Sequence, residues 1–266
     1  MARIEIRPGM AIGYDEAGDR AGDGPATPIV FLHGVGSDRT VWWPQLAHFA
    51  AERRSIAFDY PGYGESSAAP ESTSRDDYAT AILSAMSALG ISRAHICGLS
   101  LGGVVAIAMA AAKPDRCASL ILADSFAEHP DGQAIHDRAI AASSDLRVLA
   151  EARVDVLIAQ PADPAVRREV VETMARIDPA AYRIGAEAVW LADQKQRAHD
   201  IRLATLVLCG SEDKITPPAL SRALAQLVPG ACLESIEGAG HLPNLERPEQ
   251  FNTIVGAFIR GVDSRT

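Results

Sequence analysis

Short apolar runs alternate with amphipathic stretches along most of the chain. Runs rich in apolar residues recur at 29–32, 55–59, 94–97, 119–123, 205–209 and 232–236. Their near-continuous apolarity predicts strands covered on both faces, as in a parallel sheet. Between them, helical patterns fall at 41–50, 75–89, 101–112, 217–227 and 248–260, the last two opening on a proline suited to a first turn. The alternation predicts an α/β fold, with helices on both faces of a mostly parallel central sheet. At the start, residues 2–7 and 11–16 flank Pro8-Gly9 and predict an antiparallel hairpin at the sheet edge. The rhythm fails over 125–200, where helix-like segments rich in Ala, Arg and Asp are punctuated by Pro161, Pro164 and Pro179. The expected organisation is a core of residues 1–124 and 201–266, with 125–200 inserted as a helical cap.

Composition narrows the class. With 48% apolar and 22% charged residues in 266, the chain can bury a sizeable core, so its function belongs to a site rather than to a tail or repeat. A formal charge of −9 repels polyanions and argues against nucleic acid and anionic membrane surfaces as partners. The longest apolar run, 104–112, falls far short of the ~20 residues that span a bilayer. The first ten residues carry Arg3, Glu5 and Arg7 and lack the apolar stretch of a signal peptide, so a cytoplasmic monomer or homodimer is expected. Cys97, Cys117, Cys209 and Cys232 lack metal-type spacing and read as small buried apolar residues. With no metal-ligand cluster or phosphate loop in view, neither a metal nor a cofactor is expected.

The chemistry concentrates in loops that follow strands. Gly98-Leu99-Ser100-Leu101-Gly102 lies between a predicted strand and a predicted helix, which is the Gly-x-Ser-x-Gly elbow in the setting that gives the motif meaning. A sharp turn there exposes the Ser100 hydroxyl beside a helix N-terminus that favours negative charge. A serine hydroxyl needs a base, and the base needs an orienting acid. His241, in the Gly-rich loop 237–243 before the last helix, is the base that such a loop carries over the sheet ends. His48, His129, His136 and His199 are expected to face solvent. Asp213, in the loop after the strand 205–209, gives the chain order Ser, Asp, His. Asp124, ending the strand 119–123, is the alternative acid. The turn His33-Gly34-Val35-Gly36-Ser37 offers backbone donors for an oxyanion, assigned to the N–H of Val35 and of Leu101. His33 is expected to play a structural part behind that loop, and the glycines of 59–66 to form a structural turn near the pocket. In the cap, Trp190, Tyr182 and Arg183 are the candidate pocket residues.

Taken in order, Phe31-Leu32-His33-Gly34, 59–66, Gly98 to Gly103, Gly210 to Asp213 and Gly240-His241 resemble the α/β-hydrolase superfamily across nearly the whole chain. Within it, 40–46, the elbow 97–103 and the cap segment 182–194 look most like the 3-oxoadipate enol-lactonase branch and neighbouring carboxylesterases. That resemblance implies a small ester or lactone substrate carrying a carboxylate, cleaved through an acyl-enzyme on Ser100. The loop 33–36 is closer to the general esterase pattern than to the Asn-Ser loop of enol-lactonases. Serine at the elbow argues against dehalogenases and epoxide hydrolases, which carry Asp there. A carbon–carbon bond hydrolase of ring-cleavage products, a perhydrolase and an acyltransferase use the same three residues and stay open, whereas a non-catalytic binding protein usually lacks one of them.

Overall fold

The computed structural model describes residues 2–18 and 26–265. Met1, 19–25 and Thr266, which the expected core bounds included, lie outside the described residues. An eight-stranded sheet runs in the order β1-β2-β4-β3-β5-β6-β7-β8. It comprises β1 (Ala2–Arg7), β2 (Met10–Ala17), β3 (Ile29–Leu32), β4 (Ser55–Phe58), β5 (Ala94–Leu99), β6 (Cys117–Ala123), β7 (Thr205–Gly210) and β8 (Cys232–Ile236). The hairpin β1–β2 is antiparallel and so is its join to β4, while every pairing from β4 through β8 is parallel. The apolar runs therefore become strands as their pattern predicts, and β3 through β7 are buried at every position. The edge strand β8 is the exception. Its Cys232 is exposed, because an edge strand covered on one side cannot bury each residue of an apolar run, whereas Cys97, Cys117 and Cys209 are buried.

The helices are α1 (Trp43–Phe49), α2 (Arg75–Ala88), α3 (Leu101–Ala112), α4 (Gly132–Ala141), α5 (Leu146–Leu157), α6 (Pro164–Ala175), α7 (Pro179–Trp190), α8 (Lys195–Asp200), α9 (Pro218–Leu227), α10 (Pro243–Glu246) and α11 (Pro248–Asp263). One flank carries α1 against α11; α2, α3, α8 and α9 form a contiguous layer on the other. The helix expected over 41–50 is broken into a 3₁₀ turn, Arg39–Trp42, and α1, because Pro44 has no N–H and must sit in a first turn. Helix α3 is apolar on every side and buried from Leu101 to Ala110, which fixes it against the sheet centre. No helix among the described residues is long and apolar enough to cross a membrane.

Two topological features place the site. The chain leaves β3 towards β4 on one side, then crosses to β5 on the other, so β3 and β5 are neighbours whose following loops diverge. In an open α/β sheet the crevice at such a switch point is where ligands bind, beyond the carboxyl ends of the strands. The second feature is the run of α4 to α8 between β6 and β7. Aspartates cap three of these helices: Asp145, Asp163 and Asp178 each accept a first-turn N–H, and Pro164 and Pro179 follow two of them as the opening residue. The excursion leaves and returns at one point, where Glu128 bridges Asp193 and the Gln194 N–H donates to the Ala127 carbonyl at 2.9 Å. Its last helix, α8, packs on α3 and α9 within the flanking layer.

A buried charge cluster locks the first half of the sheet. Asp59, with no exposure at the end of β4, accepts from the Arg39 N–H at 2.9 Å and from the Glu65 N–H at 3.0 Å, and pairs with the Arg39 guanidinium, which also reaches Asp15 at 3.0 Å. The turn after Asp59 needs Gly64, whose φ is +46° and where a Cβ would fall 2.2 Å from the Asp59 carboxylate. Removing one member of a buried pair strands the other charge. Arg39→Met is expected to lower unfolding stability by about 3–5 kcal/mol, read from urea denaturation, and Arg39→Lys by less.

Candidate active site

Ser100 stands where β5 turns into α3, with φ +54° and ψ −113°. A non-glycine residue takes that region only when its surroundings impose it. Here α3 is packed so closely on β5 and β3 that a Cβ on Gly98 would lie 2.1 Å from the Gly102 carbonyl oxygen, and one on Gly102 2.1 Å from that of Leu32 at the end of β3. The turn is further pinned by the Ser100 N–H donating to Ala123 and the Ser125 hydroxyl donating to the Ser100 carbonyl at 2.8 Å. Gly103 makes room for Ser125, with a Cβ there coming within 2.4 Å of its hydroxyl. This last requirement joins β6 to the elbow and is invisible in the local motif.

His241 and Asp213 meet above the ends of β7 and β8. The His241 Nδ1 lies 2.8 Å from an Asp213 carboxylate oxygen, and both side chains are buried. Asp213 also accepts from the N–H of Ile215 and Thr216 and from the Thr216 hydroxyl at 2.6 Å. Burial alone raises its pKa, but the charge and hydrogen bond of His241 and the Thr216 donors more than reverse this, holding the carboxyl well below its usual range. A carboxylate so held makes Nδ1 the nitrogen through which His241 donates and leaves Nε2 as the nitrogen available to a serine proton. The loop carrying His241 is tied to the segment ending α5: the His241 N–H donates to the Leu157 carbonyl at 2.8 Å, and Glu246 accepts from both Gly240 and Ala159.

Ser100 and His241 line one cavity, together with Gly34, Val35, Leu99 and Leu242 from the core. Its far wall comes from α5 to α7, with Arg153, Leu157, Val170, Met174, Tyr182 and Trp190. Leu101 opens α3, where helix geometry leaves the N–H without an intrahelical acceptor. The Val35 N–H likewise has no acceptor among the described residues. The loop bearing Val35 is held from behind. The Tyr60 and Tyr63 hydroxyls donate to the His33 and Val35 carbonyls at 3.3 and 3.2 Å, and the His33 ring packs against both tyrosine rings. Burial lowers the His33 pKa, so it stays neutral there and bonds the Gly34 carbonyl through Nδ1. Asp38 caps the 3₁₀ turn that follows, accepting from the Thr40 N–H.

Asp124 ends β6 fully buried, and no hydrogen bond joins it to His241 among the described residues; its Oδ1 accepts from the Gly210 N–H at 2.8 Å. Asp124, Asp213 and His241 lie mutually within 4.8 Å, the spacing of a metal site. The Asp213 oxygens and the His241 Nδ1 are already committed to each other and to Thr216, which leaves an ion little to bind.

Two expectations about side chains need correction. Arg183 is exposed on α7, reaches the Ser143 hydroxyl at 3.4 Å and does not line the cavity to which Tyr182 and Trp190 contribute. The cation in the cavity wall is Arg153, which sequence reasoning missed. It sits four residues from Leu149 and from Leu157, on the stripe that α5 buries, so a charge interrupting an apolar face was the available signal. His129 is buried rather than solvent-facing, packed edge-on to Phe126 and Trp190.

A parallel sheet with a strained serine elbow, a buried acid–histidine pair beyond it and free amides beside it defines a class of protein. Residues 29–254 match the Alpha/beta hydrolase family, and the chain belongs to it. Among curated relatives, the chain is 32% identical to the dihydrolipoyllysine-residue acetyltransferase component of the acetoin cleaving system of Pseudomonas putida, over 95% of this chain and 67% of that protein. It is 28% identical to 3-oxoadipate enol-lactonase 1 of Acinetobacter baylyi, over 89% and 90% of the two chains. Among solved structures, the enol-lactonase from Burkholderia xenovorans superposes with a TM-score of 0.89 at 29% identity, covering 97% of this chain and 99% of that one.

The Asp213 pKa sets the sign of one pH effect. A carboxyl whose pKa is lower folded than unfolded stabilises the fold above the unfolded value, and loses that contribution as pH falls. In denaturation midpoints measured from pH 7 to pH 3, Asp213→Asn should therefore show a shallower acid decline than wild type.

Proposed function

We propose that this protein is a serine hydrolase that cleaves a small ester or lactone carrying a carboxylate. The observation that carries the reading is the buried Asp213–His241 pair in one cavity with a serine held at positive φ. In the first step His241 Nε2 takes the Ser100 proton as Oγ attacks the carbonyl carbon. The resulting oxyanion lies against the N–H groups of Val35 and Leu101. The proton on Nε2 then goes to the departing alkoxide, leaving an acyl-enzyme. Water, deprotonated by the same nitrogen, attacks that ester; collapse of the second tetrahedral intermediate returns the proton to Ser100 and frees the acid.

The wall opposite Ser100 supports the carboxylate. We assign α4 to α7 the role of a cap, and Arg153 from this cap brings a cation into an otherwise largely apolar cavity. Among the described residues it has no acid partner; its polar contact is the Tyr182 hydroxyl at 3.5 Å. The Trp190 indole N–H is also buried without an acceptor. A half-buried unpaired cation and an idle donor suit an anionic substituent that supplies what both lack. The resemblance to enol-lactonases in sequence and fold points the same way.

Ser100→Ala should lower kcat/KM for p-nitrophenyl acetate by about 10⁴-fold or more while leaving the folded spectrum intact. Turnover at the wild-type rate would remove Ser100 from the mechanism. For the carboxylate, the ratio of kcat/KM for mono-p-nitrophenyl glutarate to that for p-nitrophenyl butyrate should fall by about tenfold or more in Arg153→Gln. The exposed Arg183→Gln control should keep the wild-type ratio, and an equal ratio in all three proteins would remove the anionic substituent from the reading.

A further inference from the structure

Asp124 is the buried carboxyl that the proposed chemistry leaves unused. It has no solvent exposure and holds φ at +45°, a conformation that a non-glycine residue keeps only when its surroundings impose it. Its Oδ1 ties β6 to β7 through the Gly210 N–H. Its Oδ2 has no donor among the described residues. One carboxyl oxygen suffices for the tie between strands, so the second needs another explanation. The neighbourhood supplies one, since Asp124, Asp213 and His241 lie within 4.8 Å of one another.

Two carboxyls this close and this dry do not both ionise. The negative charge belongs on Asp213, which has four donors: two backbone N–H groups, the Thr216 hydroxyl and His241. Asp124 has one. The groups facing it are Asp213, His241 and the Cys209 thiol, and among them the Asp213 charge opposes its ionisation.

We infer that Asp124 is a protonated positioning residue whose carboxylic acid donates a hydrogen bond to Asp213, so that the acid of the triad is a two-carboxyl unit bearing one negative charge. Burial and the Asp213 charge both hold its pKa well above the usual range, against the Gly210 N–H. The inference rests on the triad reading above. The bonded proton stays on Asp124 during turnover; its part is to orient the Asp213 carboxylate and to draw off some of its charge, which tempers the basicity of His241.

The test is the pH profile of kcat and KM with p-nitrophenyl acetate. Asparagine at position 124 keeps both functions, since its carbonyl accepts from Gly210 and its amide donates to Asp213. Asp124→Ala keeps neither. Asp124→Ala should lose about tenfold in kcat at unchanged KM, with Asp124→Asn recovering most of it. In the alanine variant Asp213 binds the imidazolium more strongly, so the acid limb of kcat should move to higher pH, and asparagine should return it. Should the alanine variant fail to fold, the double variant decides. In Asp213→Asn the like charge is gone and Asp124 ionises in its place beside His241, so Asp124→Asn should cost about tenfold more in that background than in wild type. The inference is overturned if Asp124→Asn is as impaired as alanine, if the alanine variant loses kcat with an unmoved limb, or if the effects of the two asparagine substitutions simply multiply. Full activity in Ser100→Ala would instead sink the triad reading itself.

Discussion

The backbone strain at Ser100 is the constraint around which the rest is arranged. A residue with a side chain does not stay at positive φ unless neighbours on every side forbid relaxation. Gly98 and Gly102 let α3 close on β5 and β3 to contact distance, β6 holds the Ser100 amide through Ala123, and Ser125 holds its carbonyl. Helix α3, apolar all round and sunk into the sheet, cannot rotate to release the turn. Ser100 is thus positioned by the packing of the sheet centre, and its loop needs no stiffness of its own.

A second layer does for the loop 33–37 what the elbow packing does for Ser100. Asp59 gathers Arg39, Glu65 and, through Arg39, Asp15, so the end of β4 becomes a rigid block. From that block Tyr60 and Tyr63 reach the carbonyls of His33 and Val35 and clamp the His33 ring between them. The Gly34 carbonyl, which shares its peptide with the Val35 N–H, is itself held by His33 Nδ1 at 2.8 Å and by Ser37, so this N–H points the opposite way from those bonds. The aromatic contacts contribute little energy individually, and their value lies in leaving the loop one conformation.

The parallel core was legible because a strand buried on both faces writes a continuous apolar run, and β3 through β7 do so. The elbow and Asp213 were legible as candidates because each occupies a loop directly after such a strand, where chemistry in this architecture accumulates; His241 follows the largely exposed β8 and was legible from the glycines of its own loop. What the sequence withheld lies across long separations. The contact of Gly103 with Ser125 and the approach of Asp124 to Asp213 depend on sheet order, which local patterning does not encode. Arg153 and Arg183 show the same limit within α4 to α7. Both are arginines on amphipathic helices, and only the way α5 and α7 settle over the strand ends turns one inward and the other out.

Gln194, buried where the excursion between β6 and β7 rejoins the core, donates from its side chain to the Val104 carbonyl at 2.8 Å. Val104 lies on α3, one turn beyond Ser100. The helix that follows Ser100 is therefore also a mooring of this excursion, so the cavity wall from α5 to α7 and the Ser100 hydroxyl share one mechanical reference. Exchange of the sequence over α4 to α7 can alter the walls of the cavity without losing alignment to the serine, provided that this mooring is kept together with the bonds of Leu157 to His241 and of Ala159 to Glu246.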